Sequence, residues 1–187
     1  MAGFAFRPGV TPARLLAAYV ILTGPGQLAP PQAGADNTRL NNTVISGVYT
    51  IQHKAGCTND VVRNNQLTLA AEWHADDMIA NRGINGDIGS DGSTPQDRTN
   101  AAGFRGKVAE TVATNQSIAI NGLDVFNQWV DDPNIKAMIR DCANAAIGVW
   151  SQNSLDRTVV VAVYGQPTPP ERGSWWRGRI RTGARSN

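Results

Sequence analysis

The chain has 187 residues, 41% of them hydrophobic, a composition that excludes a disordered, collagenous or cysteine-dense protein and predicts one domain with a sizeable core. Its charge is unevenly distributed, since residues 36–170 carry 10 basic and 14 acidic side chains whereas residues 171–187 carry five Arg and one Glu. Because the body of the chain is mildly acidic, we expect no nucleic-acid partner for it.

The first 35 residues have the pattern of a secretory signal peptide. Two arginines, Arg7 and Arg14, precede an apolar run over residues 15–22, and the segment closes with Ala33-Gly34-Ala35. A run this short excludes a membrane anchor, which needs about 20 apolar residues. We therefore expect export, with cleavage after Ala35.

Export decides how the two cysteines are interpreted. In the cytosol Cys57 and Cys142 would be expected as two buried thiols, whereas in an oxidising compartment an even pair favours one disulfide. The signal pattern therefore predicts a bridge between them. Two cysteines without a Cys-x-x-Cys spacing supply neither a zinc ligand set nor a redox motif.

Helical spacing dominates the first half of the remaining chain. Apolar residues recur every three or four positions, and Asn65 can cap the second helix, whose buried face includes His74. A turn-rich loop over 83–93 follows, and Ser93-Thr94-Pro95-Gln96 matches a capping box. The predicted helices cover residues 39–54, 66–82 and 95–102.

Strand patterns dominate the second half. Residues 108–113 alternate as a half-buried strand that contains Glu110, and two helices are predicted over 123–130 and 135–140. Two runs rich in Val and Ile, 145–150 and 158–164, are joined by seven residues and predict an antiparallel hairpin. Helices that precede strands favour an α+β fold with an antiparallel sheet.

Few residues carry recognisable chemistry. His74 and Asp77 lie three apart on one helix, as a metal-binding pair would, but a core histidine hydrogen-bonded to a neighbour is the favoured interpretation. Glu110 is an acid in an apolar strand and lies either on a solvated sheet face or in a cleft. Asp131 and Asp132 follow a helix, where a solvated helix end is the default.

Residues 167–187 form a Pro-rich linker and a basic tail. Arginine attracts anionic lipid and tryptophan anchors at an interface, so the tail could hold an anionic membrane surface. A disordered, solvated tail is the favoured interpretation. The residues concerned are Arg172, Trp175, Trp176, Arg177, Arg179 and Arg181.

Several of these landmarks occur in a characteristic order between residues 36 and 166. They are Leu69–Met78, Gly89–Ser93, Arg98, Ala102–Phe104, Ala109–Thr111, Gln128-Trp129, Ile147–Trp150 and Val163–Gly165. Together they resemble the CAP superfamily of cysteine-rich secretory proteins, antigen-5 allergens and pathogenesis-related proteins, in particular its short secreted mycobacterial members. The resemblance implies a three-layer α/β/α sandwich with a central antiparallel sheet.

Many CAP domains hold a divalent cation with two histidines and two acids. Glu110 matches the acid of the family's Gly-Glu-Asn motif, and Asp132 stands where a second acid occurs. Asp87 and Ile135 fall where the histidines are expected, so the resemblance implies that both imidazoles are lost. An acid-only remnant suits a hard cation better than zinc, and we expect no metal site beyond weak divalent-cation binding.

These observations support three hypotheses about function. The leading one is a secreted, non-catalytic binding module at the cell envelope, with lipid or cell-wall glycoconjugate bound around Asp87, Glu110, Asp132 and His74 or in an apolar pocket between layers. The second is an envelope hydrolase with Glu110 as general base and His74 or Asp87 assisting. The third is an interaction protein held at the membrane or wall by its basic tail.

Overall fold

The computed structural model describes residues 34–117 and 119–168, which form five helices and four strands. The predicted signal segment before residue 34 and the basic tail after residue 168 lie outside the described residues. Within that part of the chain, no helix has the length and apolarity to cross a membrane. The helices are α1 (Gly34–Lys54), α2 (Asn65–Ala80), α3 (Pro95–Ala101), α4 (Gly122–Val130) and α5 (Pro133–Arg140), and the strands are β1 (Val62–Arg63), β2 (Gly106–Asn115), β3 (Ala146–Asn153) and β4 (Thr158–Pro167).

One four-stranded sheet has the order β1-β3-β4-β2. The predicted hairpin is β3–β4, and β2 pairs antiparallel with the other side of β4 over ten residues, from Gly106 opposite Pro167 to Asn115 opposite Thr158. The two-residue β1 adds one parallel pair to β3, which makes the sheet mixed. A strand of two residues shows no period, so no sequence pattern predicts it.

Alternate residues of the central strand β4 separate two hydrophobic cores. Its even-numbered residues from Val160 to Tyr164 pack with apolar side chains of α1, α4 and α5. Its odd-numbered residues from Val159 to Val163 pack with α2, and α3 lies against α2 and β2. The sheet therefore lies between two helical layers, and the α+β sandwich predicted from the sequence is confirmed.

Helix α1 begins at Gly34, five residues before its predicted start, and α5 begins at Pro133, two residues before its predicted start. The cap residues of α2 and α3 each differ from prediction by one position. Asn64, not Asn65, caps α2, because its backbone is extended and its side chain accepts a hydrogen bond from the Leu67 amide. Thr94, not Ser93, caps α3 and forms a capping box with Asp97 rather than with Gln96. The physical reason is Pro95, since the residue before a proline is held extended and the proline then takes the first helical position.

The Cys57–Cys142 disulfide is present, as predicted from the sequence, with its Cα atoms 5.3 Å apart. It joins the turn that follows α1 to the turn between α5 and β3. These turns are 85 residues apart in the chain, so the bridge closes most of the domain into one loop. The helical layer of α1 and α5 is thereby tied to the start of β3.

At Gly148 on β3, the backbone of α2 approaches the sheet closely. A Cβ atom on Gly148 would overlap the carbonyl carbon of Leu67 and the amide nitrogen of Thr68, both in the α2 backbone. We expect G148A to lower the free energy of unfolding by about 2–3 kcal/mol, because helix and strand must separate to admit the methyl group. Denaturant unfolding measures this loss.

Gly83 gives a matched control, since a Cβ atom there would meet nothing within 4 Å. The G83A variant should therefore unfold within about 0.5 kcal/mol of the unchanged protein. Equal unfolding midpoints for G148A and G83A would contradict the close helix–strand approach.

Candidate functional site

His74 lies on the buried face of α2 and is fully buried. Its Nε2 is 3.0 Å from the carbonyl oxygen of Gly86 and 3.4 Å from Oε1 of Glu110. Because a carbonyl oxygen can only accept a hydrogen bond, Nε2 carries the ring proton and donates a hydrogen bond to the Gly86 carbonyl. Asp77, the partner suggested by helical spacing, instead accepts hydrogen bonds from Ser90 and Asn81.

Glu110 lies in β2 with a fully buried side chain, so it lies neither on a solvated sheet face nor on the surface of a cleft. The guanidinium of Arg98 donates from Nη2 to both carboxylate oxygens, at 3.0 and 3.1 Å. Arg98 also donates to the backbone oxygens of Ser93 and Asp87, at 2.8 and 2.7 Å. Helix α3 thus supplies the cation that allows β2 to bury an acid.

Burial sets the protonation of this cluster. It raises the pKa of Glu110 to about 7, against the lowering effect of the Arg98 charge and its hydrogen bonds. Burial lowers the pKa of His74, and the positive charge of Arg98 lowers it further, so the imidazole is neutral at physiological pH. A pKa near 7 is suitable for a general base. The Glu110 oxygens, however, are hydrogen-bonded to Arg98 and have no access to solvent.

The other two acids predicted for the cleft play different parts. Asp87 contributes its backbone oxygen to Arg98, while its exposed carboxylate raises the pKa of Glu110 through space. Asp132 caps α5 by accepting from the amides of Asn134 and Ile135, at 2.7 and 3.4 Å. Because its carboxylate serves that helix end, Asp132 is not part of the His74–Glu110 cluster.

Arg98 is the site residue that sequence reasoning missed. It appeared only as one residue of the family pattern, although a buried acid in an apolar strand needs a cation nearby. That requirement is the signal that could have led to Arg98, which stands in the short capped helix immediately before β2. A buried acid in an apolar strand indicates that a cation lies nearby, but it does not indicate which basic residue supplies it.

A cavity of about 500 Å³ opens beside this cluster, between α2, α3 and the loop that joins them. His74 and Arg98 are its buried lining residues, whereas Glu110 does not line it. Trp73 also lines the cavity and is 41% exposed. The full lining consists of Trp73, His74, Asp77, Ser90, Asp91, Ser93, Asp97, Arg98 and Ala101.

The residues present do not fit a divalent cation. No group of three or more His, Cys, Asp or Glu side chains in residues 34–117 and 119–168 is arranged to hold a metal. The proton on His74 Nε2 is bonded to Gly86, and the Glu110 carboxylate faces a guanidinium that would repel a metal. We therefore derive no metal-dependent chemistry from this cluster.

The sequence matches a known family model over most of its length. The family model described as "CAP: Cysteine-rich secretory protein family" matches residues 39–164, which is most of the chain. The chain belongs to the CAP family. No curated protein matches the sequence.

Solved structures share the CAP fold at low sequence identity. An outer surface protein from Borrelia burgdorferi is 19% identical with a TM-score of 0.58, and the match covers 68% of this chain and 92% of that protein. An extracellular Bacillus anthracis protein containing a SCP domain is 16% identical with a TM-score of 0.60, covering 75% of this chain and 45% of that one. A cysteine-rich secretory protein from Staphylococcus aureus is 8% identical with a TM-score of 0.54, covering 73% and 40% respectively.

Glu110 should make the stability of this CAP domain depend on pH. An unfolded glutamate titrates near pH 4.5, and the folded carboxyl titrates at about 7, so between these values the folded state keeps a proton that the unfolded state has lost. The stability contributed by Glu110 is complete below pH 4.5 and is lost as the pH rises to about 7. The free energy of unfolding of the unchanged protein should therefore exceed that of E110Q by an amount that falls as the pH rises from 4.5 to about 7. Urea unfolding of both proteins across this pH range measures the difference.

His74 supplies a control of opposite sign. Its folded pKa is lowered from 6.5, so its contribution is lost as the pH falls below 6.5. The excess stability over H74Q should therefore rise with pH. A difference from E110Q that stays constant or grows with pH would contradict the raised pKa of Glu110.

Proposed function

We propose that this chain is an exported CAP-domain protein that binds a ligand at the cell envelope without chemical turnover. The observation that carries this proposal is the state of Glu110, whose side chain is fully buried with both oxygens bonded to Arg98. A general base must reach the proton that it abstracts, and a metal ligand must reach the ion. Glu110 does not line the cavity, so its carboxylate reaches neither a substrate proton nor an ion there.

Export is supported by three independent observations. Residues 1–35 have a signal pattern, and the disulfide is a bond that persists in oxidising compartments. The solved structures with the same fold include an outer surface protein and an extracellular protein. The cell envelope or the extracellular space is therefore the expected location.

The expected ligand is a lipid or a cell-wall glycoconjugate. The cavity beside His74 has the size of a small-molecule site. A second groove, of about 810 Å³, lies between α1 and α4, and its large apolar lining residues are Leu123 and Phe126. These two sites make the proposal specific enough to test by residue.

The test incubates the purified chain with panels of esters, peptides and glycosides, alone and with Zn²⁺ or Mg²⁺. We expect no hydrolysis in any panel. Hydrolysis that E110A abolishes, while a circular dichroism spectrum shows E110A to be folded, would overturn the proposal.

A hydrolase is the second candidate, and one observation favours it. His74 Nε2 lies 3.4 Å from Glu110 Oε1, which is the proximity that an acid–base pair needs, and burial raises the pKa of Glu110 to about 7. Arg98 would have to leave Glu110 before the carboxyl could accept a substrate proton. The same hydrolysis panels decide between the two candidates.

Membrane attachment by the basic tail is a separate proposal, because residues 171–187 lie outside the described residues. Through Arg172, Trp175 and Trp176 the tail would hold the protein to an anionic membrane. Deletion of residues 171–187 should then release the chain from anionic vesicles, and added salt should do the same. Vesicle binding unchanged by the deletion would defeat this role.

A further inference from the structure

Two buried nitrogen atoms of the cavity's lining residues have no hydrogen-bond partner among the residues that the structure describes. They are Nδ1 of His74, which is fully buried, and Nε of Arg98, which is only 6% exposed. Because Nε2 of His74 donates to Gly86, Nδ1 is an acceptor, whereas the Arg98 Nε–H is a donor. Buried polar groups of this kind cost free energy until a partner is supplied.

A hydroxyl group can satisfy either atom. It can accept a hydrogen bond from Arg98 Nε–H, and it can donate one to His74 Nδ1. An ionised carboxylate can only accept and an ammonium group can only donate, so neither satisfies both nitrogens. The unpartnered pair therefore favours an alcohol over a charged ligand group.

The exposed part of the cavity adds an apolar surface. Trp73, which immediately precedes His74 on α2, is 41% exposed and contributes its indole side chain to the lining. The hydroxyl groups of Ser90 and Ser93 lie on the same lining. A flat aromatic surface beside polar groups suits a molecule with one apolar face and a hydroxyl-bearing edge, which is the character of a sugar ring.

The charge of the lining restricts the ligand further. Three carboxylates, from Asp77, Asp91 and Asp97, line the cavity against one guanidinium, from Arg98. This surplus of negative charge disfavours phosphate, sulfate and uronic acids. A neutral ligand avoids that repulsion.

We propose that the cavity between α2 and α3 binds a neutral saccharide, with a sugar ring against Trp73 and hydroxyl groups bonded to His74 Nδ1 and to Arg98 Nε. This inference rests on the proposed function as a binding module and specifies its ligand class. Trp73 is a binding residue in this arrangement, while Glu110 positions Arg98 without touching the saccharide.

The experiment titrates the full chain with chitotriose, maltotriose and mannotriose, and with trigalacturonate as the anionic counterpart, using NMR. We expect saturable binding of at least one neutral trisaccharide, no binding of trigalacturonate, and a shift of the His74 Nδ1 ¹⁵N resonance. W73A should weaken the binding by about tenfold, and W73F should restore much of it. Vesicles with and without a neutral glycolipid distinguish a lipid-linked sugar from a free one.

L155A is the matched control, because Leu155 is 94% exposed and lines neither this cavity nor the groove between α1 and α4 that contains Leu123. This variant should bind the trisaccharide normally. No binding of any neutral trisaccharide, affinity unchanged in W73A, or a His74 Nδ1 resonance that does not shift would overturn the inference. Binding lost in L123A but kept in W73A would move the ligand to the other groove, whereas cleavage of a trisaccharide would instead refute the proposed function.

Discussion

Replacing Arg98 with methionine should lower the free energy of unfolding by about 3–5 kcal/mol, because it leaves a buried carboxyl group without its partner. Methionine keeps much of the unbranched stem but removes the donors to Glu110, to the Ser93 and Asp87 carbonyls and to the Ser93 hydroxyl. Protonation of Glu110 relieves part of the cost, so the loss should be larger at alkaline pH than at acidic pH. Denaturant unfolding at two pH values measures both effects.

The chain contains a matched control for R98M on its surface. Arg82 and Asp156 form a two-bond ion pair with both distances 2.7 Å, and both side chains are more than half exposed. The R82M variant should lose far less stability, because both charges remain solvated after the pair is broken. The double variant R98M/E110M should recover part of the R98M loss. An R98M loss no greater than that of R82M would show that Arg98 is not the partner on which Glu110 depends.

Removing the disulfide should lower the free energy of unfolding by about 4–5 kcal/mol on the chain-entropy model. The bridge joins cysteines 85 residues apart, and without it the unfolded chain gains the freedom of a long open loop. Unfolding of the unchanged protein and of C57A/C142A, each with and without reductant, measures this loss.

Reductant should destabilise the unchanged protein and leave C57A/C142A as it is, because alanine has no thiol to reduce. The alanine variant should also unfold close to the reduced protein. An oxidised and a reduced protein with the same unfolding midpoint would contradict a role for the bridge in stability.

Local patterns in the sequence predicted most of the secondary structure. Apolar spacing located the five helices, and the Val-rich runs located the hairpin of β3 and β4, because these periods are properties of neighbouring residues. The errors lie at the helix starts. Helices α1 and α5 begin before their predicted starts, and at α2 and α3 two adjacent cap candidates compete. Pro95 resolves one of these choices by steric exclusion, whereas the extended backbone of Asn64 resolves the other only in the folded chain.

The composition, the signal pattern and the order of landmarks were sufficient for the family, the α+β class and the paired cysteines. The candidate site was predicted only in part, since Glu110 and His74 were identified while their relation to Arg98 was not. Residues that meet across α2, α3 and β2 show no common period along the chain. Whether Glu110 faced solvent or a cleft depended on the pairing of β2 with β4 and on where α3 docked.

The sequence by itself determined the five helical segments, the three longer strands, and that an acid stands in the apolar strand β2. The tertiary structure alone decided that this acid is buried, that Arg98 pairs with its charge, and that His74 donates a hydrogen bond to a backbone carbonyl. The physical reason is that burial and charge pairing depend on distances between segments far apart in the chain, whereas periodicity records only which residues share a face of one segment.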